Sequence, residues 1–389
     1  MVMNKTILVL GGGTGGIMTA NSLSKKLRKQ TQDDSVKILL FEKEEKNVFA
    51  PSLLWLMVGK REPEEIRRSS KKIVRQGIEV VIGEIEKIDP VNISVISKGR
   101  EYKGDYMVVS LGTDYVTDHN LDKLGHNFFT LEGVSEFYTK LKKFTGGKIA
   151  ILVTSLPFKC PASPYEATML VDSFIRKKGL RDKTEIALFS PEPFPMPVAG
   201  KDLAYSVWMM LNKKGIKYFP QHQLTVATKK TLTFISTGGC NETDYDLLAY
   251  TPKHQCPAVI TKSSLAGKSG WVEVDRNSME TTFPNVYAIG DNTIIPLEMG
   301  KPLPKAGVFA HYQAHTVAHN IAEKIRGGNK FKTFDGKGQC FIETGHGRAG
   351  YAGGNFYASP LPAVKMKSPS FIWHWAKVCF EKYWWYKYF

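Results

Sequence analysis

Ile7-Leu8-Val9-Leu10-Gly11-Gly12-Gly13-Thr14-Gly15-Gly16 decides the fold. The apolar run has the length and composition of a buried strand, and it enters a glycine turn directly. Behind the turn, Ile17, Ala20 and Leu23 recur at helical spacing, and the helix closes on the basic stretch Lys25-Lys26-Leu27-Arg28-Lys29. A second strand, Val36-Lys37-Ile38-Leu39-Leu40-Phe41, ends at Glu42. The glycines have separate tasks: Gly11 permits the tight turn, Gly13 lets the backbone approach a pyrophosphate, and Gly16 lets the helix pack on the strand. Thr14 and Gly15 open the helix, whose N-terminus faces the phosphates. Glu42 stands where a carboxylate accepts hydrogen bonds from an adenosine ribose. Strand, turn, helix and acid together predict a dinucleotide site.

Two later segments specify the dinucleotide. Tyr106-Met107-Val108-Val109-Ser110-Leu111-Gly112-Thr113 is a strand ending in a small-residue turn and resembles the second turn of flavoproteins with two dinucleotide domains. Thr281-Thr282-Phe283-Pro284-Asn285-Val286-Tyr287-Ala288-Ile289-Gly290-Asp291 resembles their return motif. The resemblance implies FAD, with Gly290 and Asp291 beside the ribityl chain and pyrophosphate. A further strand, Lys148-Ile149-Ala150-Ile151-Leu152-Val153, runs into Thr154-Ser155-Leu156-Pro157-Phe158-Lys159-Cys160-Pro161, where no glycine turn follows. An electron donor other than a nicotinamide is therefore expected.

The sequence carries 53 basic and 37 acidic residues in 389, a net charge of +16. That balance favours anionic partners: headgroups, nucleic acid or small anions. No nucleic-acid module or Arg-rich tail is present, so nucleic acid is the weakest of the three. No apolar run is long enough to span a bilayer, and the N-terminus reads as a strand rather than a signal peptide. Five cysteines, at 160, 240, 256, 340 and 379, make no disulfide scaffold. None has metal-ligand spacing, and no metal site is expected.

Cys160-Pro161-Ala162-Ser163-Pro164-Tyr165-Glu166 is the most specific motif in the chain. With the Gly11–Gly16 turn, Ile289-Gly290-Asp291, Pro304-Lys305-Ala306-Gly307, Cys340-Phe341 and an aromatic C-terminus, it makes the chain resemble the sulfide:quinone oxidoreductases over nearly its whole length. The resemblance implies that Cys160 and Cys340 are the redox pair on one face of FAD, bridged directly or by extra sulfur. Hydrosulfide attacks one sulfur of the bridge and the other leaves as a thiolate. Cys340 is assigned to the flavin side and Cys160 to the persulfide side. Glu166 is a candidate acid/base, or a charge at a helix N-terminus. Lys305, with Ala306 and Gly307 at the next helix start, matches a lysine near the pyrimidine end of the flavin, where a cation stabilises the reduced anion. The chain departs from the family pattern in two places. No cysteine precedes Lys159, so a third cysteine and a thioether to FAD from that region are absent, and no histidine lies between Met196 and Lys201. Cys240, Cys256 and Cys379 read as ordinary small hydrophobes.

Phe371 to Phe389 reads as an aromatic helix in which Lys377 and Glu381 share a face. Trp373, Trp375, Phe380, Trp384 and Trp385 are the expected membrane contacts of a helix lying in one leaflet. Phe49, Pro51 and Phe341 are expected to line a quinone channel, as the resemblance implies. The expected fold class is α/β: two Rossmann-like nucleotide-binding domains plus a C-terminal membrane-associated helical segment. The expected division is FAD domain at 1–145, second nucleotide-like domain at 146–255, FAD return at 256–325, and redox-cysteine strand with quinone segment at 326–389. The expected activity is sulfide oxidation to zero-valent sulfur with reduction of a membrane quinone. Its expected partners are sulfide, quinone and the bilayer surface, with a homo-oligomer left open; its expected place is peripheral, on the cell membrane. The rivals are a type II NADH:quinone dehydrogenase and a flavin-linked sulfur-binding or redox-sensing protein without turnover. A disulfide reductase with two cysteines close in sequence is disfavoured, because Phe49-Ala50-Pro51 stands where they would lie.

Overall fold

The computed structural model describes residues 4–73 and 77–389. The first sheet is built from β1 (Lys5–Leu10), helix α1 (Thr14–Lys26), β2 (Val36–Glu42), β3 (Ile78–Ile82) and β4 (Tyr106–Val109). The chain then enters a second sheet through β5 (His126–Asn127), β6 (Gly147–Val153), α2 (Ser163–Lys177), β7 (Thr184–Phe189), α3 (Lys201–Lys213), β8 (Lys217–Phe219) and β9 (Leu247–Thr251). It returns as β10 (Val286–Ala288) and α4 (Gly307–Ile325). A last antiparallel sheet, β11 (Lys337–Gly345), β12 (Arg348–Asn355) and β13 (Ala363–Ser370), leads into α5 (Phe371–Tyr388).

The first sheet has the order β10-β4-β1-β2-β3 and the second β5-β9-β6-β7-β8, all parallel. Parallel sheets are covered on both faces, which is why their strands read as unbroken apolar runs. Along β1, Ile7 and Val9 join a core roofed by Ile17 and Leu23 of α1 and Val317 and Ile321 of α4. Leu8 and Leu10 face the other way, onto Ile85, Val95 and Trp271. In the second sheet Ile149 and Ile151 meet α2, whereas Leu152 and Phe189 meet Leu224 and Phe234. The chain crosses between the two units twice, and the crossings pair antiparallel at Asp114–Val116 and Lys253–Gln255. The expected division near residue 145 falls just before β6, although β5 already pairs with β9 in the second sheet.

Candidate active site

The glycine turn carries the chain from β1 into α1. Gly11 has φ +99°, and a Cβ there would collide with the Ser110 carbonyl. A Cβ on Gly16 would collide with the Gly11 carbonyl, whereas one on Gly13 would meet nothing within 4 Å. The turn is therefore closed towards the sheet and open on the side a phosphate would take. Glu42 is buried at the end of β2, and burial pushes its carboxyl up. Helix α4 also starts here: a Cβ on Gly307 would lie 3.7 Å from Thr14 Oγ1, so two uncapped helix N-termini converge on one spot. Gly112 N donates to Asn292 Oδ1 at 3.3 Å, and Gly290 N donates to Gln313 Oε1 at 2.8 Å. Asp291 Oδ1 and Thr113 Oγ1 are buried and have no protein partner. Orphaned polar atoms, an open glycine face and paired helix dipoles fit the ribityl hydroxyls and pyrophosphate of FAD.

Lys305 makes contacts that its spacing alone does not announce. Its Nζ donates to the carbonyls of Asp291 and Thr293 at 2.7 and 2.9 Å and lies 3.4 Å from the Trp271 ring centroid. Burial lowers its pKa to about 8. The amine braces the return turn, while the Lys305 carbonyl accepts from Cys160 N at 2.7 Å. Cys160 is thereby tied to the edge of the FAD unit, with φ +53°.

In the second sheet the nucleotide position is used internally. Thr154 Oγ1 donates to the Thr251 carbonyl at 2.8 Å, and Gln223 donates to the Thr154 carbonyl at 3.0 Å. Glu192, just past β7, would be the ribose acid of a nicotinamide site. Instead it accepts the Tyr165 hydroxyl at 2.6 Å, and burial pushes it up to about 7.

The elements that carry the two thiols are neighbours, because α2 packs on β11. Cys160 sits three residues before α2 and Cys340 within β11. Both thiols are free; Cys160 is accessible and Cys340 partly so, within a recess walled by protein. Burial, then the charge of Glu166, pushes each thiol up to about 12; Cys160 acts in turn on Cys340. Glu166 Oε1 accepts from Lys377 Nζ and from Glu343 N, each at 2.8 Å. Burial raises the Glu166 carboxyl and Lys377 opposes it. Burial lowers Lys377, but Glu166 and Glu343 more than offset this and leave its pKa raised. Glu343 Oε1 lies 2.8 Å from His374 Nδ1. Ser52 and Arg61 both donate to Glu381. Of these polar contacts only Glu166 was singled out in the sequence as a site residue.

Helix α5 corrects the expected membrane contacts. Trp384 and Trp385 do not face outward; with Tyr388 they are buried against Phe49, at ring distances of 5.6 and 5.8 Å. Lys377 and Glu381 do not pair with each other; both point inward to partners on other elements. The outer stripe is Ile372, Trp375, Phe380, Tyr383 and Tyr386, with Trp375 62% and Tyr386 88% exposed. Trp373 is half-buried and stacks on Tyr351 at 4.7 Å. The quinone candidates separate. Phe49 packs on the C-terminal half of α5, Phe341 joins its first turn through Tyr351 at 5.7 Å, and Pro51 is exposed. Among the described residues no helix is long and apolar enough to cross a membrane, and no cluster of three metal-ligating side chains occurs.

The pyridine nucleotide-disulphide oxidoreductase family model matches residues 5–320. The mitochondrial sulfide:quinone oxidoreductase of Mus musculus is 24% identical over 91% of this chain and 79% of its own length. The sulfide-quinone reductase of Aquifex aeolicus is 24% identical over 98% and 90%. The X-ray structure of the sulfide:quinone oxidoreductase from Aquifex aeolicus superposes with a TM-score of 0.90, covering 98% of this chain and 91% of that one. NDH2 from Plasmodium falciparum in complex with NADH superposes at 0.72 with 13% identity, covering 97% and 94%. The superpositions agree on the fold, and with the glycine turn, the second sheet and the return turn all inside the matched span, the chain belongs to the pyridine nucleotide-disulphide oxidoreductase family.

Proposed function

We propose that this chain is an FAD-dependent sulfide:quinone oxidoreductase: HS⁻, a quinone and one proton give zero-valent sulfur and a quinol. The observation that carries the reading is the packing of α2, which follows Cys160, on β11, which holds Cys340, with Cys160 tied by its backbone to Lys305 beside the Asp291 turn. The relatives' names support the same chemistry. When bound, FAD accepts two electrons and delivers them to the quinone. The protein's part is to hold two thiols on packed elements, so that hydrosulfide attack on one sulfur of their bridge releases the other as a thiolate. Burial raises the Glu166 carboxyl, Lys377 opposes that rise, and the charge of Glu166 acts on both thiols. Glu192, occupied by Tyr165, argues against a nicotinamide donor. The outer stripe of α5, with Lys382 among its exposed residues, suits a lipid surface from which a quinone is drawn.

Anaerobic titration of the flavin-loaded protein tests this. Sulfide should bleach the flavin absorbance and a soluble quinone should restore it. Cys160→Ser and Cys340→Ser should abolish bleaching by sulfide but not by dithionite. Bleaching by NADH and not by sulfide would overturn the reading in favour of an NADH dehydrogenase. Reduced flavin that persists after quinone is added would leave a sulfur sensor without turnover.

A further inference from the structure

Around Lys159, the neighbour of Cys160 in sequence, stands an aromatic box to which the reading above gives no role. Tyr115, Phe129 and His254 form its walls. His254 stands edge-on to Tyr115 at 5.1 Å and to Phe129 at 5.3 Å, and the two aromatic rings are 6.3 Å apart. Tyr115 and His254 face one another on the paired crossings between the two units. Lys159, the residue before Cys160, sets its Nζ 5.0 Å from the Tyr115 centroid and 5.7 Å from that of Phe129. Lys159, Tyr115 and Phe129 are each only partly buried, so the box is open to solvent on one side.

The chemistry of the walls is selective. Burial works against the Lys159 ammonium, but Tyr115 and Asp291 beside it leave its pKa raised. His254 Nδ1 lies 2.9 Å from the Pro252 carbonyl. A carbonyl only accepts, so Nδ1 carries the hydrogen and Nε2 is a bare lone pair. That Nε2 is buried and has no partner. Burial, then Lys159, lowers the imidazole pKa to about 3, so it stays neutral. The box thus offers one positive charge, apolar ring edges and one unfilled acceptor. A sulfate or chloride ion has no hydrogen to give and would bring its lone pairs to Nε2. A small, soft, singly charged anion with one hydrogen satisfies every wall: the charge on Lys159, the sulfur on the rings and the S–H on Nε2.

We propose that Lys159, Tyr115, Phe129 and His254 form the docking subsite for incoming hydrosulfide, beside Cys160; this deepens the sulfide reading and rests on it. Lys159 draws the anion in and His254 rejects anions that cannot donate. The test is stopped-flow reduction of the flavin-loaded enzyme by sodium sulfide. Lys159→Met should lower kcat/KM for sulfide by about tenfold or more, chiefly through KM, and should flatten its dependence on ionic strength. Lys159→Arg should restore both. His254→Leu should make the enzyme more sensitive to competition by chloride. Unchanged KM and salt dependence in Lys159→Met would overturn the subsite while leaving the function standing. A fall in kcat alone would move Lys159 to a later step and overturn it as well. A wild-type flavin that dithionite reduces and sulfide does not would overturn subsite and function together.

Discussion

Glu192 lies under the Tyr165 hydroxyl with its carboxyl pushed up to about 7 by burial. Its unfolded value is the ordinary 4.5, so the folded state binds the proton more tightly. The stability this contributes is full below pH 4.5 and is lost as pH rises through 7. Glu192→Gln keeps an acceptor for Tyr165 and removes the titration. Urea unfolding at pH 5 and pH 8 should therefore show a wild-type loss of about 2–3 kcal/mol that the variant lacks. Residues differ in how far sequence announces them. Cys160 and Cys340 stand out because flanking residues mark them. Tyr165 lies in the same motif, yet its partner could not be named, since a loop beyond β7 brings Glu192 to it. His254 and Lys159 were passed over for a similar reason: the pairing of two interdomain crossings sets His254 against Tyr115, and Lys159 reaches the same ring from another segment.

At the scale of the element, α5 was legible as a helix and illegible as a surface. Aromatics on every side leave hydrophobic periodicity with no direction to give. The informative residues were the few charges. On a helix held against protein by one face, Lys377 and Glu381 mark the inside, because partners wait there. Trp384→Ala should cost about 3–5 kcal/mol in urea unfolding, the range for removing a buried aromatic. Trp375→Ser should change stability by no more than about 0.5 kcal/mol. In sedimentation with anionic lipid vesicles, Trp375→Ser should lower the bound fraction. Equal binding by the wild type and Trp375→Ser would detach the outer stripe from lipid binding.

For the whole molecule, the first fingerprint fixed the architecture early, since a strand, a glycine turn and a parallel return leave few topologies open. What it could not convey is how separate units are locked together. Lys377 of α5 reaches Glu166 of α2, and Glu381 reaches Arg61 and Ser52 near the first unit. Removing one member of a buried pair leaves the other uncompensated, so Lys377→Met should destabilise the protein by about 3–5 kcal/mol. Adding Glu166→Gln should return part of that loss, and a double-mutant cycle in urea would measure the coupling. Strict additivity of the two substitutions would mean the bridge contributes nothing to the lock.

The span between these partners also sets a clock. Arg61 lies 320 residues ahead of Glu381, and Ser52 is 329 ahead. At 5–20 residues per second a ribosome needs roughly 15–65 s to cover that distance. Throughout that interval the newborn chain carries Trp55, Ser52 and Arg61 with no helix to close over them, and Glu166, once made, waits a further 211 residues for its ammonium. Both sheets can form while synthesis continues, but the surroundings of the two thiols are completed only when α5 emerges, so a prematurely released chain would be folded in outline and chemically unfinished.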